Sequence, residues 1–344
     1  MIFWWFILLT SVASWALTGF LRRYALAKNL IDIPNERSSH SVPTPRGGGV
    51  AVVVSFLAVL PILNTFDLLS TPVFLALWGA GFAVAVTGFL DDHGHIAARW
   101  RLLVHFGAAV WGLYWLGGFP PLAAFGYSLN LGWLGYLCAA VYIVWLLNLY
   151  NFMDGIDGLA GIEAITVCCS GALMVWLVAP DSTAWMLTAF LATAVLGFLF
   201  WNLPPARIFM GDAGSGFLGI MLALLSVQAA WIDPRLFWVW LILLGVFIVD
   251  ATVTLSRRVL RGEKFYEAHR SHAYQYASRI LGAHRPVTLA VAAINVFWLM
   301  PAAGLVALDK LDGIVGLMVA YLPLLLLAYR YKAGDRQAQA RQAK

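Results

Sequence analysis

The chain alternates between long apolar stretches and short polar segments. Eleven apolar stretches can be counted, at residues 2–21, 47–63, 71–90, 102–118, 133–150, 160–178, 183–201, 214–232, 236–256, 287–307 and 313–330. A helix that crosses a membrane needs about 20 such residues. The pattern therefore predicts an all-α integral membrane protein with about eleven transmembrane helices. Residues 1–331 are expected to form a single polytopic domain, and residues 332–344 a polar cytoplasmic tail.

Composition supports this class. The chain has 344 residues, of which 62% are hydrophobic and 11% are charged, and its mean hydropathy is +0.81. A soluble domain carries roughly 25% charged residues, so an ordinary soluble protein is excluded. The three cysteines have neither zinc-ligand spacing nor the pattern of a disulfide framework.

The positive charges fall on one side of the predicted topology. When the loops after every odd-numbered stretch are placed together, that side holds 20 of the 22 Lys and Arg residues, and the other side holds only Arg235 and Lys310. Positive residues mark the cytoplasmic side of a membrane. We therefore expect a periplasmic N-terminus and a cytoplasmic C-terminus. The first stretch lacks the basic start of a signal peptide and is expected to remain as an anchor.

The unusual polar residues lie on the same predicted side. They fall in five segments, at residues 43–49, 91–95, 148–161, 202–215 and 269–272. The outer loops are short, and the longest of them contains Tyr127–Leu131, which predicts a small hairpin. All candidate chemistry is therefore expected at the inner edge of the bilayer.

The segment at 148–161 has polar groups at a spacing of three. Asn151, Asp154 and Asp157 are separated by glycines that leave room for a ligand to approach the backbone. Residues three apart on a helix are neighbours, so these side chains are expected to lie side by side. The alternative is a polar, glycine-rich turn between two helices.

Three further acids lie in the same predicted layer. Asp91 and Asp92 end the third stretch, where adjacent side chains on a helix point about 100° apart and would serve different roles. Acids at a helix C-terminus oppose the helix dipole, which suggests a nearby cation; an interfacial charge pair is the alternative. Asp212 precedes the eighth stretch among small residues. Together with Asp154 and Asp157 these carboxylates suit Mg²⁺.

Glycines at the start of the eighth stretch formally match a dinucleotide-binding fingerprint, at Gly214, Gly216 and Gly219. No predicted strand precedes them, so this interpretation is rejected. We expect these glycines to allow close packing between helices in the membrane.

Basic groups surround the acids. Arg46, Arg99, Arg101, Arg207 and Arg270 suit phosphate recognition, although any single arginine in such a position is more often an ordinary positive residue of a cytoplasmic loop. His269 and His272 could face a phosphate together or lie on the surface. Asp250 is a carboxylate inside the ninth stretch, and we expect it to pair with a basic residue of the inner loops and to support the site.

Three motifs together resemble one membrane enzyme family. They are Asn151-Phe-Met-Asp-Gly-Ile-Asp-Gly-Leu-Ala160, Phe209-Met-Gly-Asp-Ala-Gly-Ser215 and Gly88-Phe-Leu-Asp-Asp92. This set is similar to that of the polyprenyl-phosphate N-acetylhexosamine-1-phosphate transferases, which include MraY, WecA and WbpL. Residues 43–49 also resemble the first inner loop of that family, and the motifs occur in the family's order along nearly the whole chain.

The resemblance implies a reaction and its participants. A lipid phosphate, usually undecaprenyl phosphate, attacks the β-phosphorus of a UDP-sugar, and UMP leaves. The implied cofactor is Mg²⁺, with Mn²⁺ as a substitute, and the implied location is the bacterial inner membrane with the site facing the cytoplasm. Nucleic acid is not an expected partner; a homodimer is left open.

The candidate site residues are divided by expected role. Asp91, Asp92, His269 and His272 are the expected catalytic residues, and Asp212 with Asp92 is expected to bind the metal. The expected substrate-binding residues are Arg46, Asn148, Asn151, Asp154, Asp157, Phe209 and Arg270.

The last motif indicates which branch of this family the chain resembles most. Ala268-His-Arg-Ser-His-Ala-Tyr-Gln275 lacks the clustered histidines of MraY and is closer to the WbpL-like branch. That branch initiates O-antigen repeats with N-acetylated 6-deoxyhexosamines such as FucNAc or QuiNAc; GlcNAc stays open as an alternative. A transporter with a charged site at the cytoplasmic edge is the competing function. Transporters tend to have internal repeats and a site at the membrane midplane, and this sequence shows neither.

Overall fold

The computed structural model describes residues 2–34, 42–94, 96–263 and 269–335. The predicted tail from residue 336 onward and His95 lie outside the described residues. Within them, the helices are α1 (Ile2–Ala27), α2 (Gly49–Thr65), α3 (Thr71–His93), α4 (Ala98–Leu116), α5 (Gly132–Met153), α6 (Leu159–Val178), α7 (Trp185–Asn202), α8 (Asp212–Ile232), α9 (Arg235–Leu243), α10 (Gly245–Leu260), α11 (Ala273–Leu281), α12 (Arg285–Ile294), a π-helix (Asn295–Leu299), α13 (Met300–Ala307) and α14 (Gly313–Arg330).

Every predicted apolar stretch lies on a helix, which confirms the helical class. The ninth stretch is divided between α9 and α10, and the tenth runs through α12, the π-helix and α13. In the part of the chain that the structure describes, eight helices are long and apolar enough to cross a membrane, or nine if α9 and α10, bent by 70°, count as one span. The predicted count of eleven and the orientation stay predictions.

Two small hairpins accompany the helices. β1 (Ile31–Asp32) pairs antiparallel with β2 (Thr44–Pro45), and β3 (Leu122–Ala124) pairs antiparallel with β4 (Tyr127–Leu129). The second hairpin confirms the strand predicted near Tyr127. The first has no counterpart in the sequence predictions, because a two-residue strand carries no detectable alternation.

α8 is the central helix of the fold. In an apolar stretch of 18 residues within it, 83% of the residues are buried, and the helix packs against α3 and α5. A Cβ on Gly214 would lie 2.6 Å from the Cα of Gly49, and a Cβ on Gly219 would lie 2.7 Å from the Cα of Leu147. The glycines therefore allow backbones to touch, which confirms their predicted role in packing.

This packing brings three helix ends together. α3 and α5 end where α8 begins, and a Cβ on Gly88 would lie 2.6 Å from the backbone carbonyl of Asp212. The last turns of α3 and α5 therefore lie beside the first turn of α8. The polar segments that follow or precede these helices meet at the same end of the bundle.

Candidate functional site

Two loops at this end pair with each other through their backbones. The N–H of Phe209 donates to the carbonyl of Pro45 (2.8 Å), and the N–H groups of Gly48 and Gly49 donate to the carbonyls of Phe209 (2.9 Å) and Met210 (2.8 Å). The segments at 43–49 and 202–215, which the sequence singled out separately, thus form one wall.

The adjacent carboxylates of Asp91 and Asp92 have different partners. Asp91 forms an ion pair with Arg101. Asp92 is buried, and its two oxygens accept hydrogen bonds from the backbone N–H groups of Asp212 (3.2 Å) and Ala213 (3.3 Å). An acid at the start of a helix is stabilised by the helix dipole. As predicted from their positions on a helix, the two acids face different surroundings.

Asn151, Asp154 and Asp157 do not form one helical row. α5 ends at Met153, and Gly158 has a left-handed backbone (φ 73°) immediately before α6 begins. The two acids therefore lie in the turn between the helices. The prediction of helical neighbours is wrong, because the glycine-rich segment ends the helix, and the alternative of a polar turn is confirmed.

The three side chains still line a common cavity through separate contacts. The amide of Asn151 donates to Oδ1 of Asp212 (3.0 Å) and to the hydroxyl of Ser215 (2.8 Å). Oδ1 of Asp157 lies 3.2 Å from Nδ1 of His284. These contacts connect the end of α5 to α8, and the turn to the start of α12.

The common cavity is acidic. It has a volume of about 290 Å³ and is lined by Asp92, Asp154, Asp157 and Asp212, with Arg46 in the same wall. Burial, together with the charges of Asp212 and Asp92, raises the pKa of Asp154 well above its usual range. Arg46 donates a hydrogen bond to the backbone carbonyl of Asp92 rather than to a carboxylate. The cavity therefore favours a cation or a ligand rich in hydrogen-bond donors.

A larger, mostly apolar groove of about 670 Å³ opens beside it, between α3, α4, α5 and α10. Asp91 and Arg101 supply charge to its lining, and Nη1 of Arg101 lies 3.8 Å from Oδ2 of Asp212. Asn151 and Asp212 line both this groove and the acidic cavity. The two spaces therefore meet at these two side chains.

A third cavity of about 620 Å³ is basic. Arg270, Arg279 and Arg285 line it, and Asp157 and Phe209 line both it and the acidic cavity. Burial and the neighbouring Arg270 lower the pKa of the Arg279 guanidinium. Adjacent guanidinium groups favour an anion, so a ligand that spans both cavities would meet opposite charges at its two ends.

The two histidines predicted from the sequence stack on each other, with 4.9 Å between ring centroids. His272 is 1% exposed, and its Nδ1 lies 3.2 Å from Oδ1 of Asp250, which confirms that Asp250 pairs with a basic residue of the inner loops. Burial, with His272 and Arg258 nearby, lowers the pKa of His269 to about 3, so this ring is neutral at pH 7. Neither histidine lines the three cavities; their catalytic role stays a prediction.

The acidic cavity offers carboxylates to a metal ion but not a complete set of protein ligands. Among the described residues, no three His, Cys, Asp or Glu side chains are grouped so that they could hold a metal ion alone. This arrangement still fits Mg²⁺, which commonly binds through one or two carboxylates and completes its shell with water and substrate phosphates. The side chain of Asp212 is 41% exposed and lines both spaces, whereas both oxygens of Asp92 contact the backbone of α8.

The other predicted residues are divided between the spaces. Asn148 lines the groove, 3.5 Å from Nδ1 of His105, and Phe209 lies between the acidic and basic cavities. His105, Gln275 and His284 also line these spaces and were not among the predicted site residues. Gln275 ends the motif that begins at Ala268, whereas His105 and His284 belong to no compact motif. All three reach the site because α4, α11 and α12 pack there.

Comparison with known families identifies a matching region. The family model for glycosyl transferase family 4 matches residues 74–230. This region runs from α3 to the end of α8 and contains most of the acidic cavity. The match therefore covers the part of the chain in which the groove and the cavity meet.

Three relatives extend the similarity over most of the chain. The chain is 29% identical over 293 residues to the probable undecaprenyl-phosphate N-acetylglucosaminyl 1-phosphate transferase of Bacillus subtilis (83% of this chain, 80% of the relative). It is 26% identical over 290 residues to the undecaprenyl-phosphate alpha-N-acetylglucosaminyl 1-phosphate transferase of Thermotoga maritima (84% and 87%). It is 30% identical over 259 residues to the phospho-N-acetylmuramoyl-pentapeptide-transferase of Synechococcus elongatus (71% and 68%).

Proposed function

Because this chain belongs to glycosyl transferase family 4, we propose that it transfers a sugar 1-phosphate from a UDP-sugar to undecaprenyl phosphate and releases UMP. The observation that carries the proposal is that an apolar groove and an acidic cavity meet at Asn151 and Asp212. A lipid acceptor and a soluble donor need such a pair of sites, because each must stay in its own medium while their phosphates touch.

The groove is the proposed acceptor site. Its apolar walls suit a polyprenyl chain, and Arg101 places a guanidinium group where the phosphate at the end of that chain would lie. Arg101 contacts Asp91 and lies 3.8 Å from Asp212, so its charge is oriented at the junction. A planar guanidinium group can donate two parallel hydrogen bonds to the oxygens of one phosphate.

The acidic and basic cavities together are the proposed donor site. Phe209 and Asp157 lie where the two cavities join, so a sugar nucleotide that spans them would contact both residues. Asn151 and Asp154 line the acidic part, and Arg270 lines the basic part. The proposed substrate-binding residues are thus distributed along one continuous path.

The proposed chemical step is direct attack. An oxygen of the lipid phosphate bonds to the β-phosphorus of the donor as the bond from that phosphorus to the oxygen of UMP breaks, and UMP leaves with the electron pair. The C1–O bond of the sugar is not broken, so its configuration is kept. Asp91 lines the groove and is the proposed acceptor of the lipid phosphate's proton. Mg²⁺ held by Asp212, with Asp92 beside it, would supply neutralisation of the diphosphate charge.

We infer that the sugar is an N-acetylated hexosamine or 6-deoxyhexosamine and that the product begins an O-antigen or similar polysaccharide repeat. The support is the motif that ends at Gln275, which resembles the WbpL-like branch. In the direct test, purified protein is incubated with undecaprenyl phosphate, Mg²⁺ and UDP-GlcNAc, UDP-FucNAc or UDP-QuiNAc. We expect UMP release with at least one donor. The release should require undecaprenyl phosphate and should stop when Mg²⁺ is chelated. No release with any donor, in conditions where the Bacillus subtilis relative is active, would exclude this function.

We also infer that the protein lies in the inner membrane with the donor site on the cytoplasmic side; a homodimer stays a prediction. In a protein whose native cysteines have been replaced, we expect Asp181→Cys to react with a membrane-impermeant maleimide in spheroplasts. Ala283→Cys should react only in inverted vesicles. Both positions are exposed, so accessibility depends on the side of the membrane. The reverse labelling pattern would overturn the orientation.

A further inference from the structure

The first turn of α11 is held by the buried carboxylate of Asp250, a residue of α10. Its Oδ1 accepts a hydrogen bond from the N–H of Ala273 (2.9 Å) and lies 3.2 Å from Nδ1 of His272. Its Oδ2 accepts a hydrogen bond from the N–H of Tyr274 (3.0 Å). The first N–H groups of a helix have no partner within the helix, so this one carboxylate fixes the start of α11 to α10.

The same turn places two side chains against the segment that carries Asp154, and one of them lines the acidic cavity. The hydroxyl of Tyr274 donates to the backbone carbonyl of Phe152 (3.0 Å), and Gln275 lines the cavity beside Asp154 and Gly155. A Cβ on Gly155 would lie 2.2 Å from Oη of Tyr274 and 3.1 Å from Nε2 of Gln275. Both polar groups therefore lie directly against the turn that carries Asp154.

The amide of Gln275 has a defined orientation. Its Oε1 accepts a hydrogen bond from the N–H of His272 (3.3 Å) in a capping box, which leaves Nε2 at the end that faces Gly155. Five carboxylates line the same cavity, those of Asp32, Asp92, Asp154, Asp157 and Asp212, and a carboxylate accepts hydrogen bonds when it is ionised. Gln275 contributes an uncharged N–H donor beside these acids. Such a donor suits a neutral oxygen, such as a sugar hydroxyl or an acetamido carbonyl.

We propose that Gln275 binds the UDP-sugar by donating its amide N–H to a neutral oxygen of the donor, and that Asp250 is a positioning residue that holds Gln275 there through the start of α11. This inference rests on the proposed function and adds a contact to the donor site. It also gives a role to Asp250, a buried carboxylate of α10 that lines none of the three site cavities.

The first test is Gln275→Glu. Glutamate keeps an oxygen for the capping box, where Glu is an ordinary residue, so α11 is expected to stay folded. It removes the N–H donor and adds a charge to an acidic cavity. We expect the KM for the UDP-sugar to rise about tenfold, with the KM for undecaprenyl phosphate changed less than about twofold. Tyr276→Phe, on the next residue of α11 and outside the three cavities, should change neither value.

Asp250→Asn tests the positioning role. The new amide replaces one acceptor oxygen with a donor that faces backbone N–H groups, so the start of α11 should shift. We expect the KM for the UDP-sugar to rise while the KM for undecaprenyl phosphate is kept. If this variant cannot be purified in folded form, Tyr274→Phe provides a second test because it removes the hydrogen bond to Phe152. The KM for the UDP-sugar should again rise while the KM for undecaprenyl phosphate is kept. Equal loss for both substrates, or a lower melting temperature with unchanged KM values, would refute the positioning role.

The contact itself is overturned if Gln275→Glu binds and turns over the UDP-sugar as wild type does. Calorimetry with UDP-GlcNAc separates this failure from failure of the proposed function. If wild type releases no UMP but binds UDP-GlcNAc more tightly than Gln275→Glu does, the contact is supported and the proposed reaction is refuted. If wild type releases UMP and both proteins bind UDP-GlcNAc equally, the proposed reaction is supported and the contact is refuted.

Discussion

Asp212→Asn is expected to reduce UMP release by about a thousandfold in a protein that still folds. The carboxylate of Asp212 lines both the groove and the acidic cavity, and its Oδ1 accepts the amide of Asn151 (3.0 Å). Asparagine has the same shape and keeps one oxygen for that hydrogen bond. What it loses is the negative charge that would hold Mg²⁺ beside the donor's phosphates. The effect should therefore fall on turnover rather than on folding.

The measurement is UMP release in detergent across a range of Mg²⁺ concentrations. Asp233→Asn is the matched control, because Asp233 follows the opposite end of α8 and pairs with Arg235 (2.7 Å). A partly exposed ion pair of this kind contributes about 0–1 kcal/mol, so the control should retain activity. Wild-type turnover and Mg²⁺ dependence in Asp212→Asn would remove Asp212 from the metal site.

The helices could be predicted from the sequence because each must satisfy its own backbone within the membrane. A segment in lipid has no water to bond to, so a long apolar run has few alternatives to a helix. The same reasoning located the pairing of Asp250, since an unpaired carboxylate inside such a helix would be costly. Local chemistry was therefore sufficient for these features.

The arrangement of the site could not be predicted in the same way. Periodicity suggested one helical row at Asn151, Asp154 and Asp157, but α5 ends at Met153, so Asp154 and Asp157 lie in the turn before α6. The capping of α8 by Asp92 joins residues that are 120 positions apart. Gln275 lines the acidic cavity on the first turn of α11, which is bonded to Asp250 of α10. Each feature depends on packing between distant segments, which no local pattern encodes.

Arg101→Gln is expected to lower kcat/KM for undecaprenyl phosphate by about a hundredfold. Arg101 is the arginine that lines the groove; it forms an ion pair with Asp91 and lies 3.8 Å from Asp212. Its removal leaves two acids facing an incoming phosphate without a neutralising charge. The loss should therefore fall on the lipid substrate, and the KM for the UDP-sugar should change less than about threefold, because the donor cavity keeps its own basic groups.

Arg99→Gln provides a matched control for Arg101→Gln. Arg99 is exposed two positions earlier in the same turn of α4, its guanidinium lies over the ring of Trp100 (5.6 Å to the centroid), and it does not line the groove. Both variants remove one positive charge from the same surface. If the two variants lose activity equally, the effect is one of general charge; if Arg101→Gln alone raises the KM for the UDP-sugar, the proposed division between groove and cavity is wrong. If Arg101→Gln lowers kcat/KM for undecaprenyl phosphate and Arg99→Gln does not, the phosphate of the acceptor lies at the junction of the two spaces.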